Sequence, residues 1–143
     1  MTKNNKKILV ISFSWLHRDP RVYRQLLFLK DQYEITAAGF SDPGIEGVKF
    51  IEINCFSRTL VQKLFKAVGL KLVQFEKVYW ADPTIQQALF LLKDLSFDLI
   101  IANDIRSVPL TRQLCDIKNA KAFLDAHEYT PRQHDDKFEF RFF

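Results

Sequence analysis

The chain has 143 residues, 48% of them hydrophobic and 27% charged, with four Gly and five Pro. That is enough chain for one domain with a sizeable core, and the composition excludes a disordered or low-complexity polypeptide. The net charge of +4 is local: across residues 56–80, Arg58, Lys63, Lys66, Lys71 and Lys77 stand against Glu76 alone, and 5 − 1 gives the same +4.

The lysine-rich start leads into Ile8 to Phe13, a nearly continuous apolar run. Such a run reads as a strand covered on both faces, as in a parallel sheet. It is too short for a membrane span, and no small-residue cleavage site follows it. Asp19-Pro20 then joins a good N-cap to the residue best suited to a first helical position. Val22, Leu26 and Leu29 recur at helical spacing, widened by Tyr23 and Leu27. Tyr33 to Phe40 has strand character, Ser41-Asp42-Pro43-Gly44 is a turn, and Val48 to Ile53 alternates as an edge strand does.

The basic segment predicts a helix over about 58–76, with Leu60, Val61, Leu64, Phe65, Val68, Leu72 and Phe75 on one face and Arg58, Lys63 and Lys66 opposite. Its amphipathic character suits either packing on the sheet or an anionic membrane surface. Asp82-Pro83 repeats the cap-plus-proline start, followed by Ile85, Ala88, Leu89, Leu92 and Leu95 as one buried face. Phe97 to Ala102 is the next strand, Ser107 to Ile117 a helix with Pro109 in its first turn, and Ala122 to Ala126 a last short strand. This order predicts a Rossmann-like, doubly wound and mainly parallel α/β sheet, with helices on both faces, in a single domain over 1–143.

In such sheets ligands bind beyond the carboxyl ends of the strands, where strand order reverses. Three polar segments lie at such ends: Ser14 to Asp19, Asn103 to Arg106, and Asp125 to Tyr129. Asp19 and Asp104 both read as helix caps, whereas Asp125, His127 and Glu128 crowd a single turn, which marks a candidate site. No GxGxxG, GxxxxGK[ST] or GxSxG pattern occurs, and the three histidines, His17, His127 and His134, lack metal-ligand spacing. Cys55 and Cys115 are expected to be reduced thiols. Nothing matches a nucleic-acid-binding motif, so no nucleic-acid partner is expected.

The first apolar strand, with Arg18-Asp19-Pro20-Arg21-Val22 and then Arg24-Gln25, resembles the start of bacterial glycosyltransferases of the GT-B fold. Phe123-Leu124-Asp125-Ala126-His127-Glu128-Tyr129-Thr130-Pro131 is similar to the D-x-H-E-(Y/F)-x-P stretch of family 4 members, and Phe97 to Asp104 resembles the strand before it. The resemblance covers essentially the whole chain. It implies the acceptor-side half of a retaining transferase that moves a sugar from a nucleotide-sugar donor, with no further cofactor, to a glycan or lipid-linked acceptor. His127 would be the catalytic-site histidine beside the donor sugar. His17, Arg18, Arg21, Asn103, Asp104, Asp125 and Glu128 would bind substrate, with Arg18 or Arg21 available to negative charge.

The same likeness implies a second, C-terminal GT-B domain as partner, which these residues do not include, and a cytoplasmic setting, possible at the inner face of a membrane through residues 58–76. Phe138, Phe140, Phe142 and Phe143 would then await that domain. One departure is specific. Many members carry a glycine pair in the first loop, where this chain has Trp15-Leu16-His17-Arg18. That departure favours the alternative, a non-catalytic Rossmann-like binding domain, while the Asp125-His127-Glu128 turn favours the enzyme.

Overall fold

The computed structural model describes residues 5–56 and 74–126. In chain order these form β1 (Lys7–Ser12), α1 (Pro20–Lys30), β2 (Glu34–Gly39), β3 (Val48–Glu52), α2 (Phe75–Trp80), α3 (Pro83–Leu92), β4 (Leu99–Asn103), α4 (Val108–Lys118) and β5 (Lys121–Asp125). All five strands are parallel, in the order β3-β2-β1-β4-β5. The expected Rossmann-like α/β architecture is therefore the one observed.

β1 lies in the middle of the sheet, and its side chains alternate between two cores. Ile8 and Val10 join Ile35, Ala37 and Ile101 beneath Val22 and Leu26 of α1. Leu9 and Ile11 join Ala38 and Ile100 beneath Ala88 and Leu92 of α3 and Leu110 and Leu114 of α4. This double burial explains why β1 reads as an unbroken apolar run rather than an alternating one. Helices on opposite faces follow from right-handed crossovers that run outward from β1 in both directions.

Both Asp-Pro starts form as the sequence predicts. Asp19 accepts the Val22 amide and Asp82 the Thr84 amide through their side chains, with proline in the first turn of each helix. The buried stripes are narrower than the periodicity suggests. On α1 only Val22 and Leu26 are fully buried, each worth about 1.5–3 kcal/mol, while Leu27 is 38% exposed. On the other face Leu95 lies beyond the end of α3 and is likewise 38% exposed.

The parallel β2–β3 connection, residues 40–47, uses no helix. Gly44 and Gly47 take positive φ there, and Ile45 fills the place on the α1 core that a crossover helix would cover. The helix expected over 58–76 lies outside the described residues up to 73. Phe75–Trp80 is a separate short helix, two residues upstream of Asp82. Among the described residues no helix is long and apolar enough to cross a membrane.

Candidate functional site

Strand order reverses between β1 and β4, so the crevice between their carboxyl ends is the position where an open α/β sheet takes a ligand. The β1 end is held by a chain of short hydrogen bonds. Ser14 Oγ donates to Asp19 Oδ2 at 3.0 Å, so its single proton is spent, and Ser12 must be the donor in the 2.8 Å contact between the two serines. Asp19 Oδ1 meanwhile caps α1. Asp19 is thus a cap, as the sequence suggested.

Arg21, in the first turn of α1, connects the three strand-end segments. Its Nη2 donates to Asp104 Oδ1 at 3.1 Å. Its Nη1 reaches the main-chain carbonyl of Asp125 at 3.5 Å and Asp125 Oδ2 at 4.0 Å. One guanidinium faces two carboxylates, so the cluster carries a net charge of about −1 and suits ligand hydroxyls better than anions. Arg21 is thereby committed, which leaves Arg18 for any negatively charged group.

Asp104 corrects the capping expectation. Its carboxylate makes no cap hydrogen bond; it turns to Arg21, while the backbone sits at φ 69°, ψ 156°. That conformation costs a non-glycine residue on the order of 1–3 kcal/mol and is held only where the surroundings over-determine it. Here they do. The Asp104 amide donates to the Asp125 carbonyl, and Ser107 Oγ contacts the carbonyls of both Asn103 and Asp104 at 2.8 Å. Asn103, fully buried at the end of β4, donates through Nδ2 to Gln25 Oε1 at 3.1 Å, and its Oδ1 meets no hydrogen-bond partner among the described residues.

Along the β2 side of the same rim, a short 3-10 helix spans Leu16–Arg18. Arg18 Nε donates to His17 Nε2 at 3.0 Å, so the imidazole carries its proton on Nδ1 and donates to Ser41 Oγ at 2.6 Å. The Arg18 terminal nitrogens meet no carboxylate among the described residues. Leu16 anchors this turn, fully buried against Gly39. A Cβ on Gly39 would lie 2.7 Å from Leu16 Cγ.

An aromatic row crosses the rim that no single sequence window reveals. The Phe40 ring packs 6.2 Å from Phe13 and 5.9 Å from Trp15, the latter edge-on, while the Arg106 guanidinium lies 4.9 Å over Phe13 and pairs with Asp82. Tyr79 of α2 donates to the Arg106 carbonyl and accepts the Leu110 amide. Burial pushes its phenol up to about 12, against the partial relief given by the Leu110 amide.

Of the residues picked out in the sequence, Arg21, Asp104 and Asp125 converge, with Asn103 beside them. His17 and Arg18 occupy the rim toward Ser41. His127 and Glu128 lie outside the described residues. Among those residues no group of three or more His, Cys, Asp or Glu could hold a metal ion, and Cys55 and Cys115 are free thiols. A second concavity, about 910 Å³ and lined by Phe75, Tyr79, Trp80, Leu89, Pro109 and Arg112, opens between α2, α3 and α4. Comparison of the chain with family models, curated proteins and solved structures finds no match.

Proposed function

We propose that this chain is the acceptor-side domain of a retaining glycosyltransferase that takes its sugar from a nucleotide-sugar donor and passes it to a glycan or lipid-linked acceptor. The observation that carries the reading is the convergence of Arg21, Asp104 and Asp125 at the reversal point of a parallel sheet. Carboxylates locked by a guanidinium present fixed acceptors to sugar hydroxyls.

The Asp125-Ala126-His127-Glu128 sequence follows directly from β5, which supports His127 as the group beside the reacting carbon. A second GT-B domain would bring the nucleotide. Residues 58–73, with four basic and no acidic side chains, suit the anionic surface of a membrane that carries a lipid-linked acceptor.

The second reading, a non-catalytic binding domain of the same fold, is favoured by Trp15-Leu16, since these side chains occupy the turn where backbone would otherwise approach a diphosphate. Transfer from UDP-, GDP- and ADP-sugars by the full-length gene product separates the two. Turnover that drops about a hundredfold or more in His127→Ala, with KM for the acceptor raised in Arg21→Gln, supports the enzyme. Absence of turnover with every donor, or turnover indifferent to His127, supports the binding domain.

A further inference from the structure

The rim turn has features of a built recognition surface rather than of an ordinary loop. Trp15 is 52% exposed although its neighbours hold it firmly. Its backbone pairs with Ser41, its carbonyl accepts the Arg18 amide at 2.8 Å, and its ring is braced on Phe40 at an interplanar angle of 66°. Two helix-borne exposed aromatics differ. Phe28 and Phe90 sit on outer helix surfaces at 72% and 68% exposure, where single apolar residues are unremarkable, and a lysine covers the Phe90 ring. A half-exposed indole immobilised at a ligand-binding rim is preorganised: the entropy of ordering it is lost before any ligand arrives.

The 3-10 geometry sets what lies beside the indole. The Trp15 carbonyl accepts the Arg18 amide, so these two exposed residues close one tight turn, Trp15 as the cap of the 3-10 helix and Arg18 as its last residue. His17, bonded to Ser41, orients the Arg18 guanidinium through Nε and leaves its terminal nitrogens without a carboxylate partner among the described residues. Asp19, the nearest carboxylate in sequence, is already taken by Ser14 and the α1 cap. The result is a flat π surface and a guanidinium, the latter without a carboxylate partner among the described residues, presented by one turn.

We propose that Trp15 and Arg18 form a ledge for a saccharide ring that bears an anionic substituent. The axial C–H groups of a pyranose are slightly positive and match the negative face of the indole, while a phosphate or carboxylate on the ring accepts from the guanidinium. Arg21, already paired with two aspartates, cannot supply that contact; it and its partners take hydroxyls instead. The ledge rests on the acceptor-side reading for its role, but its ligand chemistry stands on this geometry alone.

The test is a titration followed by the Trp15 indole amide signal in two-dimensional NMR, assigned with Trp15→Phe. Four probes are used: glucose 1-phosphate, glucuronic acid, glucose and inorganic phosphate. The two charged sugars should shift the indole saturably, glucose about tenfold more weakly, and inorganic phosphate not at all. A response to only one charged sugar identifies whether the anion is a phosphate or a carboxylate. Arg18→Gln, at an exposed position, should erase the preference for charged over neutral rings, and Trp15→Ala, followed by calorimetry because the reporting indole is gone, should weaken binding of both. An indole signal indifferent to all four probes, or a charge preference that survives in Arg18→Gln, overturns the ledge. Ledge binding without transfer by the full-length protein overturns the enzyme reading alone, and transfer without ledge binding overturns only the ledge.

Discussion

Asp104 is where local chemistry and the position it must hold disagree most. At φ 69° a Cβ is strained, yet a carboxylate is needed there to meet Arg21. Two substitutions separate these effects. Asp104→Ala loses the ion pair and keeps the strain, whereas Asp104→Gly loses the pair and relieves it. In urea unfolding the glycine variant should be the more stable of the two by about 1 kcal/mol, after the added entropy of glycine in the unfolded chain is set against strain relief. On the proposed acceptor-side role, both should bind acceptor poorly. The pair was legible in sequence only as a strand-end aspartate and an arginine just after the first Asp-Pro, each a candidate by itself. That Asp104 serves Arg21 instead of capping a helix depends on a backbone conformation imposed by Ser107 and β5, and nothing in residues 103–108 announces it.

Individual elements follow local rules closely, and the discrepancies lie where tertiary contacts choose between equivalent residues. Asp-Pro starts α1 and α3 because cap and φ preference are both encoded within two residues. Leu27 shares the apolar character of its neighbours but falls at the margin of the α1 stripe, where a small rotation of the helix decides burial, and Leu95 falls past the last turn of α3. The aromatic row joins Phe13, Phe40 and Trp15 across two strands, and such contacts have no periodic trace. The β2–β3 loop reads correctly as a turn, yet its role as a substitute for a helix emerges only from Ile45 in the core.

Two element-scale outcomes are expected. Asp98 ties the entry of β4 to that of β1 by accepting the Lys7 amide at 2.8 Å and Lys6 Nζ at 3.2 Å. The Lys7 amide first, and then the Lys6 ammonium, hold its carboxyl below the usual carboxylate range. A depressed folded value means that the contribution is complete above the unfolded value and fades as pH falls through the folded one. Acid titration of stability should therefore be flatter for Asp98→Asn over that interval. The Leu16–Gly39 contact gives the second outcome. Gly39→Ala should cost about 1–3 kcal/mol, and adding Leu16→Ala should cost less than the sum of the single changes, a coupling read from chemical denaturation of the four proteins.

At the scale of the molecule, burial falls from the central strand to the β5 edge. β1 is paired on both sides and buried on both faces, whereas Phe123 and Leu124 of β5 remain 55% and 41% exposed. Amide exchange should be slowest in β1 and its neighbour β4 and fastest in β5; protection in β5 equal to that of β1 would show that its faces are covered in solution. The general architecture was legible because continuous apolar runs and alternating elements encode a parallel sheet. The outline of the site was legible for the same reason, since strand ends are predictable once strands are.

The anchoring of the rim turn has a consequence for how the molecule can change. Leu16 and Gly39 set its position from inside the core, while Trp15, His17 and Arg18 face outward. Substitutions at His17 and Arg18 touch little of the core, and most exposed replacements stay within about 0.5 kcal/mol. The turn is therefore an exchangeable cassette: ligand preference can be rewritten by lineage drift or by design while the scaffold beneath it stays intact.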